Sequence, residues 1–259
     1  MTVTEPTFIH TACSECKTDV ALETTGYSPL SAAIAAQTAA GWLCDQCYDD
    51  IEKRERSERE REIAARAHAE HRRAIQRSRV PRLPDDFELP EGPAAAAALA
   101  WAQRRTLRLT LFGPVGTGKS TLAQWAFHER LRPRVLDGKL RTRPGAWRSM
   151  AGYMAQLGAG FGTPAKDDAV WLAGGGIVLA LDDLDKTTPT EYAAQQVYTL
   201  INAAYESRAP LIVTTNANPA ELASRWPGGW GDAIVSRLCE GDVVELDGID
   251  RRMAAREAA

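Results

Sequence analysis

The chain has 259 residues, 44% of them hydrophobic and 25% charged, a composition typical of a globular protein and unlike that of a disordered chain. The formal net charge of -3 excludes bulk attraction to nucleic acid, so any such binding requires a local basic surface. The first residues contain no signal-peptide pattern, and the longest apolar run, residues 94–102, is shorter than the ~18 residues of a membrane span. We expect a soluble, cytoplasmic protein with no membrane partner.

Four of the five cysteines form two Cys-x-x-Cys pairs, Cys13 with Cys16 and Cys44 with Cys47. Two such pairs can place four thiolates tetrahedrally around Zn²⁺. The alternatives are a redox dithiol, which needs only one pair, and disulfides, which need an oxidising compartment. His10 is an alternative ligand. Four cysteine ligands leave no open coordination position, so we expect a structural metal in a module formed by residues 1–50.

The spacer between the two cysteine pairs is longer than the usual ~15–20 residues. Part of it, residues 28–41, predicts a helix with Ser28 as its N-cap and Pro29 at the first helical position. An inserted helix would account for the extra length.

Residues 51–80 are rich in charge and poor in large apolar side chains. Glutamate precedes arginine by four residues at three places, a spacing worth ~0.2–0.5 kcal/mol per pair to a helix. The pairs are Glu52–Arg56, Glu55–Arg59 and Glu62–Arg66. The pattern predicts a helical linker that ends before Pro81, because a residue before proline disfavours helix. It is either a solvated spacer or, through its arginine-rich second half, a docking helix or nucleic-acid contact.

The remaining residues, 81–259, alternate between helical and strand patterns. This alternation predicts an α/β domain with a central parallel sheet and flanking helices. Strands are predicted over residues 107–112, 175–183 and 209–216, and helices over 94–104, 146–157 and 191–207.

A glycine-rich motif, GPVGTGKST, follows the first predicted strand of this domain. It matches G-x-x-x-x-G-K-[ST] between a strand and a helix, the context in which backbone N–H groups wrap nucleotide phosphates. Lys119 is expected to reach the β and γ phosphates, and Ser120 to supply an oxygen to Mg²⁺. The predicted nucleotide-binding residues are Gly113, Gly116, Thr117, Gly118, Lys119, Ser120 and Thr121.

Acidic residues follow the second strand, in the sequence IVLALDDLDK. Asp182 is placed to hold the Mg²⁺ shell and Asp183 to polarise an attacking water. The second acid of such pairs is commonly glutamate, so an aspartate at 183 bears on the hydrolysis rate. We expect Asp185 to be a capping or surface acid.

The third strand delivers Thr215 and Asn216 at its carboxyl end, where ligands gather in parallel sheets. The Asn216 amide is predicted to orient the attacking water beside the γ-phosphate; the alternative is an ordinary turn residue.

These motifs resemble the AAA+ ATPases, and within them the DnaC/IstB-like group of replicative helicase loaders and transposition helper ATPases. The resemblance covers residues 93–252, and IVSRLCEGDVVELDGIDRR is its most discriminating part. It implies an AAA+ P-loop NTPase domain, here preceded by the zinc-binding module and the charged helix, that binds ATP and Mg²⁺. No room remains after Arg252 for a full helical lid, which also fits the loaders.

The resemblance gives Arg237 the position of an arginine that completes the ATP site of a neighbouring subunit, which implies self-association through shared ATP sites. The alternative is a surface ion pair with Glu240 or Glu245. Arg251 or Arg252 matches, more weakly, a second arginine serving its own site. Cys239 is expected to be a small buried side chain.

A helicase loader is also expected to hold single-stranded DNA. Residues 128–150 carry seven basic side chains, with Trp147 as a candidate for base stacking. These are Arg130, Arg132, Arg134, Lys139, Arg141, Arg143 and Arg148. A solvated basic loop is the alternative. The loop over residues 226–231 is either a further contact or a packed turn.

The sequence therefore predicts an ATPase that assembles on a replicative hexameric DNA helicase and delivers it to single-stranded DNA. A transposition helper ATPase shares every nucleotide motif and remains an alternative. A non-catalytic zinc adaptor with a structural nucleotide site is another.

Overall fold

The computed structural model describes residues 8–23, 43–159, 176–248 and 250. The predicted helix over residues 28–41 and the two arginines at 251 and 252 lie outside these residues. Contacts within the chain divide it into two compact units, Met1–Arg66 and Ala67–Ala259. We describe each unit by itself.

The first unit contains an antiparallel hairpin of β1 (Phe8–Ala12) and β2 (Asp19–Glu23). Its turn carries the first cysteine pair, and the backbone N–H of Cys13 donates to the Thr18 carbonyl over 2.8 Å. Lys17 in this turn has φ of 63°. The turn therefore presents two thiols from one tightly closed loop.

Helix α1 (Asp45–Ser78) is the charged segment, and its residues fall in both units. Of the expected pairs, Glu55 and Arg59 lie 2.9 Å apart, whereas Arg56 pairs with Glu60 over 3.2 Å instead of with Glu52. These pairs are exposed, so each stabilises the helix by only ~0.3–0.5 kcal/mol. Within the described part of the chain, none of the helices combines the length and apolar character that crossing a bilayer requires.

The described strands of the second unit are β3 (Arg108–Phe112), β4 (Arg134–Leu136), β5 (Lys139–Arg141), β6 (Gly145–Ser149), β7 (Val178–Asp182), β8 (Leu211–Thr215) and β9 (Asp242–Glu245). Five of them form a parallel sheet in the order β6-β7-β8-β3-β9. The further helices of this unit are α2 (Pro93–Ala102), α3 (Lys119–Arg130), α4 (Met150–Ala159), α5 (Glu191–Glu206), α6 (Pro219–Arg225) and α7 (Trp230–Leu238). Strands β4 and β5 form a separate antiparallel hairpin.

Both faces of the sheet are buried, because alternate residues of its strands enter two different apolar clusters. In β7, Val178 and Ala180 pack in the cluster that includes α2 and α3, and Leu179 and Leu181 pack in the cluster that includes α5. Continuous apolar runs such as IVLAL are typical of strands covered on both faces. The parallel sheet with flanking helices is confirmed.

The predicted helix over residues 146–157 is wrong in its first part. Residues 145–149 form β6, which pairs in parallel with β7 and places Gly145 opposite Val178. A strand of five residues is too short for its period to be told from a helix, and burial decides its conformation. The Trp147 ring is 5% exposed and packs edge-on against Phe127, with 5.5 Å between centroids.

The strand order brings three motifs to one edge of the sheet. The glycine-rich loop follows β3, the acids follow β7, and β8 lies between those two strands. Since all five strands are parallel, their carboxyl ends share one edge. The strand order therefore places the glycine-rich loop, the acids and Asn216 side by side at this edge.

Candidate nucleotide site and four-cysteine cluster

The four paired cysteines come together in the first unit. The sulfur atoms of Cys13, Cys16, Cys44 and Cys47 all lie within 4.8 Å of one another, and the Cys16 and Cys44 sulfurs are 3.6 Å apart. Four sulfurs held tetrahedrally at ~2.3 Å from a zinc ion are separated by ~3.8 Å. The cluster geometry therefore fits the group that the sequence predicts.

The thiols of this cluster differ in acidity. The backbone N–H of Cys44 points at the Cys13 sulfur over 3.4 Å, and this hydrogen bond is the main reason why the pKa of Cys13 falls to about 6. Hydrogen bonds with the neighbouring thiols of Cys44 and Cys16 raise the pKa of Cys47 to about 12. Hydrogen bonds with Thr18 likewise lower the pKa of Cys16. Thiolates are therefore favoured at Cys13 and Cys16 and opposed at Cys47. A divalent cation would remove that opposition.

His10 is not part of the cluster. Its Nδ1 lies 2.6 Å from an Asp19 carboxylate oxygen, and both side chains are exposed on the hairpin. Within the described residues, the metal-ligand cluster that includes Cys13 contains cysteines alone.

The glycine-rich loop needs glycine at two positions for steric reasons. A Cβ on Gly113, whose φ is 138°, would lie 2.2 Å from the Leu246 carbonyl oxygen. A Cβ on Gly116, whose φ is 82°, would overlap the Asp250 carboxyl group. The loop therefore lies close against the chain that follows β9, and its backbone amides remain available at the start of α3.

Lys119 is 5% exposed at the start of α3. Its Nζ donates to the carbonyls of Gly113 over 2.8 Å and Pro114 over 2.6 Å, so the ammonium lies inside the loop. Burial lowers the Lys119 pKa, and nearby carboxylates, chiefly Asp183 and Asp185, act in the opposite direction. The ammonium is thus a compact positive charge held inside the glycine-rich loop.

The two acids at the end of β7 share one hydroxyl. Thr214 donates its Oγ1 hydrogen to Asp182 Oδ1 over 2.6 Å and accepts from the Asp183 backbone N–H over 2.9 Å. Asp183 has φ of 57°, a conformation uncommon outside glycine. Burial, followed by the charges of Asp182 and Asp185, raises the Asp183 pKa. Thr214 on the neighbouring strand therefore holds the Asp182 carboxylate and the Asp183 backbone.

The sequence predicts that Asp185 is a capping or surface acid, and this prediction is wrong. Its carboxylate accepts from the Asn216 backbone N–H over 2.8 Å and from the Asn216 amide over 2.9 Å, and Thr215 Oγ1 donates to it over 3.2 Å. Burial alone would raise the Asp185 pKa, but the hydrogen bonds from Asn216 outweigh it, and the pKa is lowered. Asp185 fixes the side chain that was predicted to orient the attacking water.

Lys119, Asp183 and Asn216 line a cavity of about 480 Å³, whereas Asp182 and Asp185 are not among its lining residues. The glycine-rich loop and the start of α3 form one wall, and Asp183, Lys186 and Asn216 face it. Sequence reasoning missed a further wall, formed by the segment before α2, where Phe87 packs against Trp125 with 6.4 Å between ring centroids. That segment, PDDFELP over residues 84–90, carries no nucleotide-binding motif, so no local signal marks it as part of the site.

Arg237 lies in the last turn of α7 and is not among the residues that line this cavity. Its Nε donates to Asn202 Oδ1 over 3.2 Å, and its guanidinium carbon lies 4.6 Å from the centroid of the Tyr205 ring. The suggested partner Glu240 instead lies 3.8 Å from Arg108. Two residues after Arg237, Cys239 is exposed rather than buried as expected, because α7 ends at Leu238.

The basic stretch over residues 128–150 is divided between core and surface. Arg130 is 2% exposed and donates to the carbonyls of Trp101 and Thr106, with its guanidinium over the Trp101 ring. Trp147 is buried, so the expected base stacking on it is wrong. The loop over residues 226–231 is a packed turn, because Trp226 is buried and Trp230 packs against Tyr198.

No family model matches the chain, and no curated protein matches it. The crystal structure of DnaI is 18% identical, with 69% of this chain and 93% of that chain covered and a TM-score of 0.51. The crystal structure of a DNA replication initiation factor is also 18% identical, with 69% and 55% covered and a TM-score of 0.50. AMPPCP-bound DnaA from Aquifex aeolicus is 22% identical, with 66% and 52% covered and a TM-score of 0.49.

The fold is that of an AAA+ P-loop NTPase domain. The match covers 52% of the DnaA chain and 55% of the initiation-factor chain. This chain therefore spans about half the length of each. Similarity at this level of identity shows the fold alone.

Proposed function

We propose that the chain binds ATP with Mg²⁺ and hydrolyses it. One observation carries this proposal: Lys119, Asp183 and Asn216 line one cavity of about 480 Å³ at the carboxyl edge of a parallel sheet. A phosphate cradle, a carboxylate and an amide in one such cavity are the groups that phosphoryl transfer to water requires.

Each side chain has a role in this proposal. The backbone amides of the glycine-rich loop and the Lys119 ammonium bind the phosphates. Ser120 and Asp182 would hold Mg²⁺, which neutralises phosphate charge when bound. Asp183 accepts hydrogen bonds from the attacking water, and Asn216, fixed by Asp185, orients that water.

Two substitutions test nucleotide chemistry. Lys119→Ala should abolish tight ATP binding, because it removes the charge aimed at the phosphates. Asp183→Asn should retain binding and lower turnover, because the amide keeps the shape but loses the charge. A fluorescent-nucleotide titration and a phosphate-release assay measure the two effects, with Lys53→Ala on the exposed part of α1 as control. Unchanged ATP affinity in Lys119→Ala contradicts the assignment.

The same turnover assay addresses the non-catalytic zinc adaptor. An adaptor with a structural nucleotide site would bind ATP and release no phosphate, with or without single-stranded DNA. Hydrolysis that Asp183→Asn abolishes excludes that alternative.

We infer that the ATPase acts as a helicase loader, assembling on a replicative hexameric DNA helicase and delivering it to single-stranded DNA. Support comes from the motif resemblance to the DnaC/IstB-like group and from a fold shared with DnaI and a DNA replication initiation factor. Affinity purification with mass spectrometry tests the inference. Recovery of a hexameric helicase supports it, whereas recovery of a transposase favours the transposition helper.

Arg237 is proposed to complete the ATP site of an adjacent copy. Within one chain it does not line the nucleotide cavity, and Asn202 and Tyr205 hold it half-buried at the end of α7. A guanidinium supplied to a transferring phosphate by another subunit is worth ~10³–10⁵ in rate in the best-studied case.

Arg237→Ala should therefore leave nucleotide binding by the monomer nearly intact and reduce hydrolysis and ATP-dependent self-association together. Mixing Arg237→Ala with Lys119→Ala should restore activity, because some interfaces then pair an intact Lys119 with an intact Arg237. If Arg237→Ala hydrolyses ATP and assembles like the parent, the arginine is structural.

A further inference from the structure

A second cavity lies in the nucleotide-binding unit, between the second half of α1 and the loop that joins β5 to β6. Its volume is about 320 Å³. Helix α1 contributes Glu70, Arg73 and Arg77, and the loop contributes residues 142–144. Since β6 begins at Gly145, this loop lies at the amino-terminal edge of the sheet. The glycine-rich loop is at the opposite edge, so the two sites are separate.

Within the described part of the chain, the arginines of this cavity have no protein anion as a partner. Among the described residues, Arg73, Arg77 and Arg143 make no ion pair or hydrogen bond, and all three are exposed. The carboxylate in the wall, Glu70, accepts a hydrogen bond from Thr142 Oγ1 over 2.9 Å, which ties α1 to the loop. The cavity therefore presents three guanidinium groups on a fixed wall.

Several positively charged side chains lie near Arg143, which lines this cavity. Burial and then the charges of Arg134 and Arg143 lower the Arg104 pKa. Burial and then Arg104, Arg143 and Arg134 lower the Arg130 pKa to about 9. Arg104 also donates to the carbonyls of Arg130 and Arg132. These side chains have structural roles, and their positive potential extends to the cavity.

The hairpin next to the cavity adds more basic side chains. Arg134 of β4 is directly opposite Arg141 of β5, and Lys139 lies opposite Leu136. Like charges directly across an antiparallel pair destabilise it. The residues of this hairpin are mostly exposed, so a bound anion would offset the repulsion.

We propose that this cavity and hairpin bind the phosphate backbone of single-stranded nucleic acid, with Arg73, Arg77 and Arg143 holding phosphates. Guanidinium groups match phosphate oxygens with two parallel hydrogen bonds, which no protein partner uses here. The basic side chains on α1, on the loop and on the hairpin could each pair with a phosphate of one nucleic-acid strand. Trp147, the aromatic side chain of the adjoining strand, is buried and cannot stack on a base, so the proposed binding depends on phosphate contacts.

The proposal rests on the proposed function only in taking single-stranded DNA as the ligand. The predicted contacts are electrostatic and independent of sequence. For single strands, the logarithm of affinity falls with the logarithm of salt concentration with a slope of about -0.7 per phosphate contact. Loss of three contacts should reduce the magnitude of the slope by about 2. If parent and variant bind equally at 1 M salt, the variant should then bind roughly 100-fold more weakly than the parent at 0.1 M.

The experiment measures fluorescence anisotropy of labelled oligo(dT) and oligo(dA) across a salt series with the full chain. The test variant combines Arg73→Gln, Arg77→Gln and Arg143→Gln. The control combines Arg54→Gln, Arg56→Gln and Arg61→Gln, exposed positions on the first half of α1 that give the same change in net charge. We expect the test variant to lose both affinity and salt slope for both oligonucleotides, and the control to keep most of each.

ATP binding and thermal unfolding of the same variants separate the possible failures. If the test variant binds DNA like the control, the site is wrong and DNA binds elsewhere. If the parent binds neither oligonucleotide while its ATP binding is normal, the site and the DNA partner are both wrong, and the ATPase proposal stands. If labelled poly-glutamate binding is lost in the test variant and oligonucleotide binding is kept, the cavity takes an acidic protein instead.

Discussion

The two units of this chain use different means to hold their structure. In the first unit, among residues whose side chains are described, only Cys13 is fully buried, and the four thiols lie within 4.8 Å of one another. In the second unit, a five-stranded sheet is covered on both faces by apolar clusters. Local ligand spacing can specify the first unit, whereas the second needs contacts between distant parts of the chain.

The two units should therefore differ in what destabilises them. A small unit whose described residues include only one fully buried side chain would depend on a bound metal, because the free energy of metal binding would then be its folding free energy. A unit with a large core can tolerate unfavourable local features, such as the positive φ of Asp183 and the carboxylates gathered beside it. We therefore expect the two units to respond to different perturbations.

Removal of the metal gives the largest expected effect. Chelation, or Cys16→Ser, should unfold the hairpin of the first unit completely and leave the sheet of the second unit folded. Elemental analysis measures the zinc, and backbone hydrogen exchange compares residues 8–23 with residues 108–112.

Cys239→Ser is the matched control, because Cys239 is an exposed cysteine outside the cluster. It should keep its zinc and its protection from exchange. Native protein that contains no zinc, or a second unit that loses protection together with the first, contradicts this view of the chain.

A substitution in the core of the second unit should destabilise that unit and leave the zinc content of the first unit unchanged. Trp101 is completely buried, donates from Nε1 to the Leu107 carbonyl over 3.1 Å and stacks under Arg130. Trp101→Ala should destabilise the second unit by about 3–5 kcal/mol, the usual cost of such a cavity. Urea unfolding followed by circular dichroism measures the change, and zinc content should not alter.

Tyr192→Ala is the control for this substitution. Tyr192 is 53% exposed on the second unit, so its removal should change stability by no more than about 0.5 kcal/mol. Zinc loss in Trp101→Ala would show that the two units do not fold independently.

Sequence alone predicts the features that depend on local spacing. The two Cys-x-x-Cys pairs, the glycine-rich loop and the acids after an apolar strand each need only neighbouring residues, and the structure brings each group together. The parallel sheet follows from the alternation of strand and helix. Residue roles at the nucleotide site, and the role of Arg237, stay predictions.

Features that depend on tertiary packing could not be predicted in this way. Basic residues flank Trp147 in the sequence and predict that it stacks on DNA bases. Pairing of β6 with β7 instead places Trp147 in the core. Phe87 joins the nucleotide cavity from a proline-rich segment before α2. Asp185 meets Asn216 across two strands, a contact with no signature in sequence.

Disruption of the contact between Asp185 and Asn216 should have the smallest effect of these changes on stability. The carboxylate accepts three hydrogen bonds from the end of β8, and Asp185→Asn would set its NH₂ group against a donor. Loss of a charged hydrogen bond costs about 1.5–3 kcal/mol, so the variant should be less stable at pH 7 by that amount and should hydrolyse ATP more slowly, since Asn216 is no longer held.

The pH dependence separates this contact from general damage. Because the folded-state pKa of Asp185 is lowered from 3.8, its ionised form stabilises the protein above that pH, and the contribution is lost as pH falls through the folded-state value. The stability difference between parent and Asp185→Asn should therefore shrink below about pH 4. Urea unfolding at a series of pH values measures it. A difference that stays constant down to pH 2 would mean that the carboxylate charge contributes nothing, and that Asn216 is held by the backbone alone.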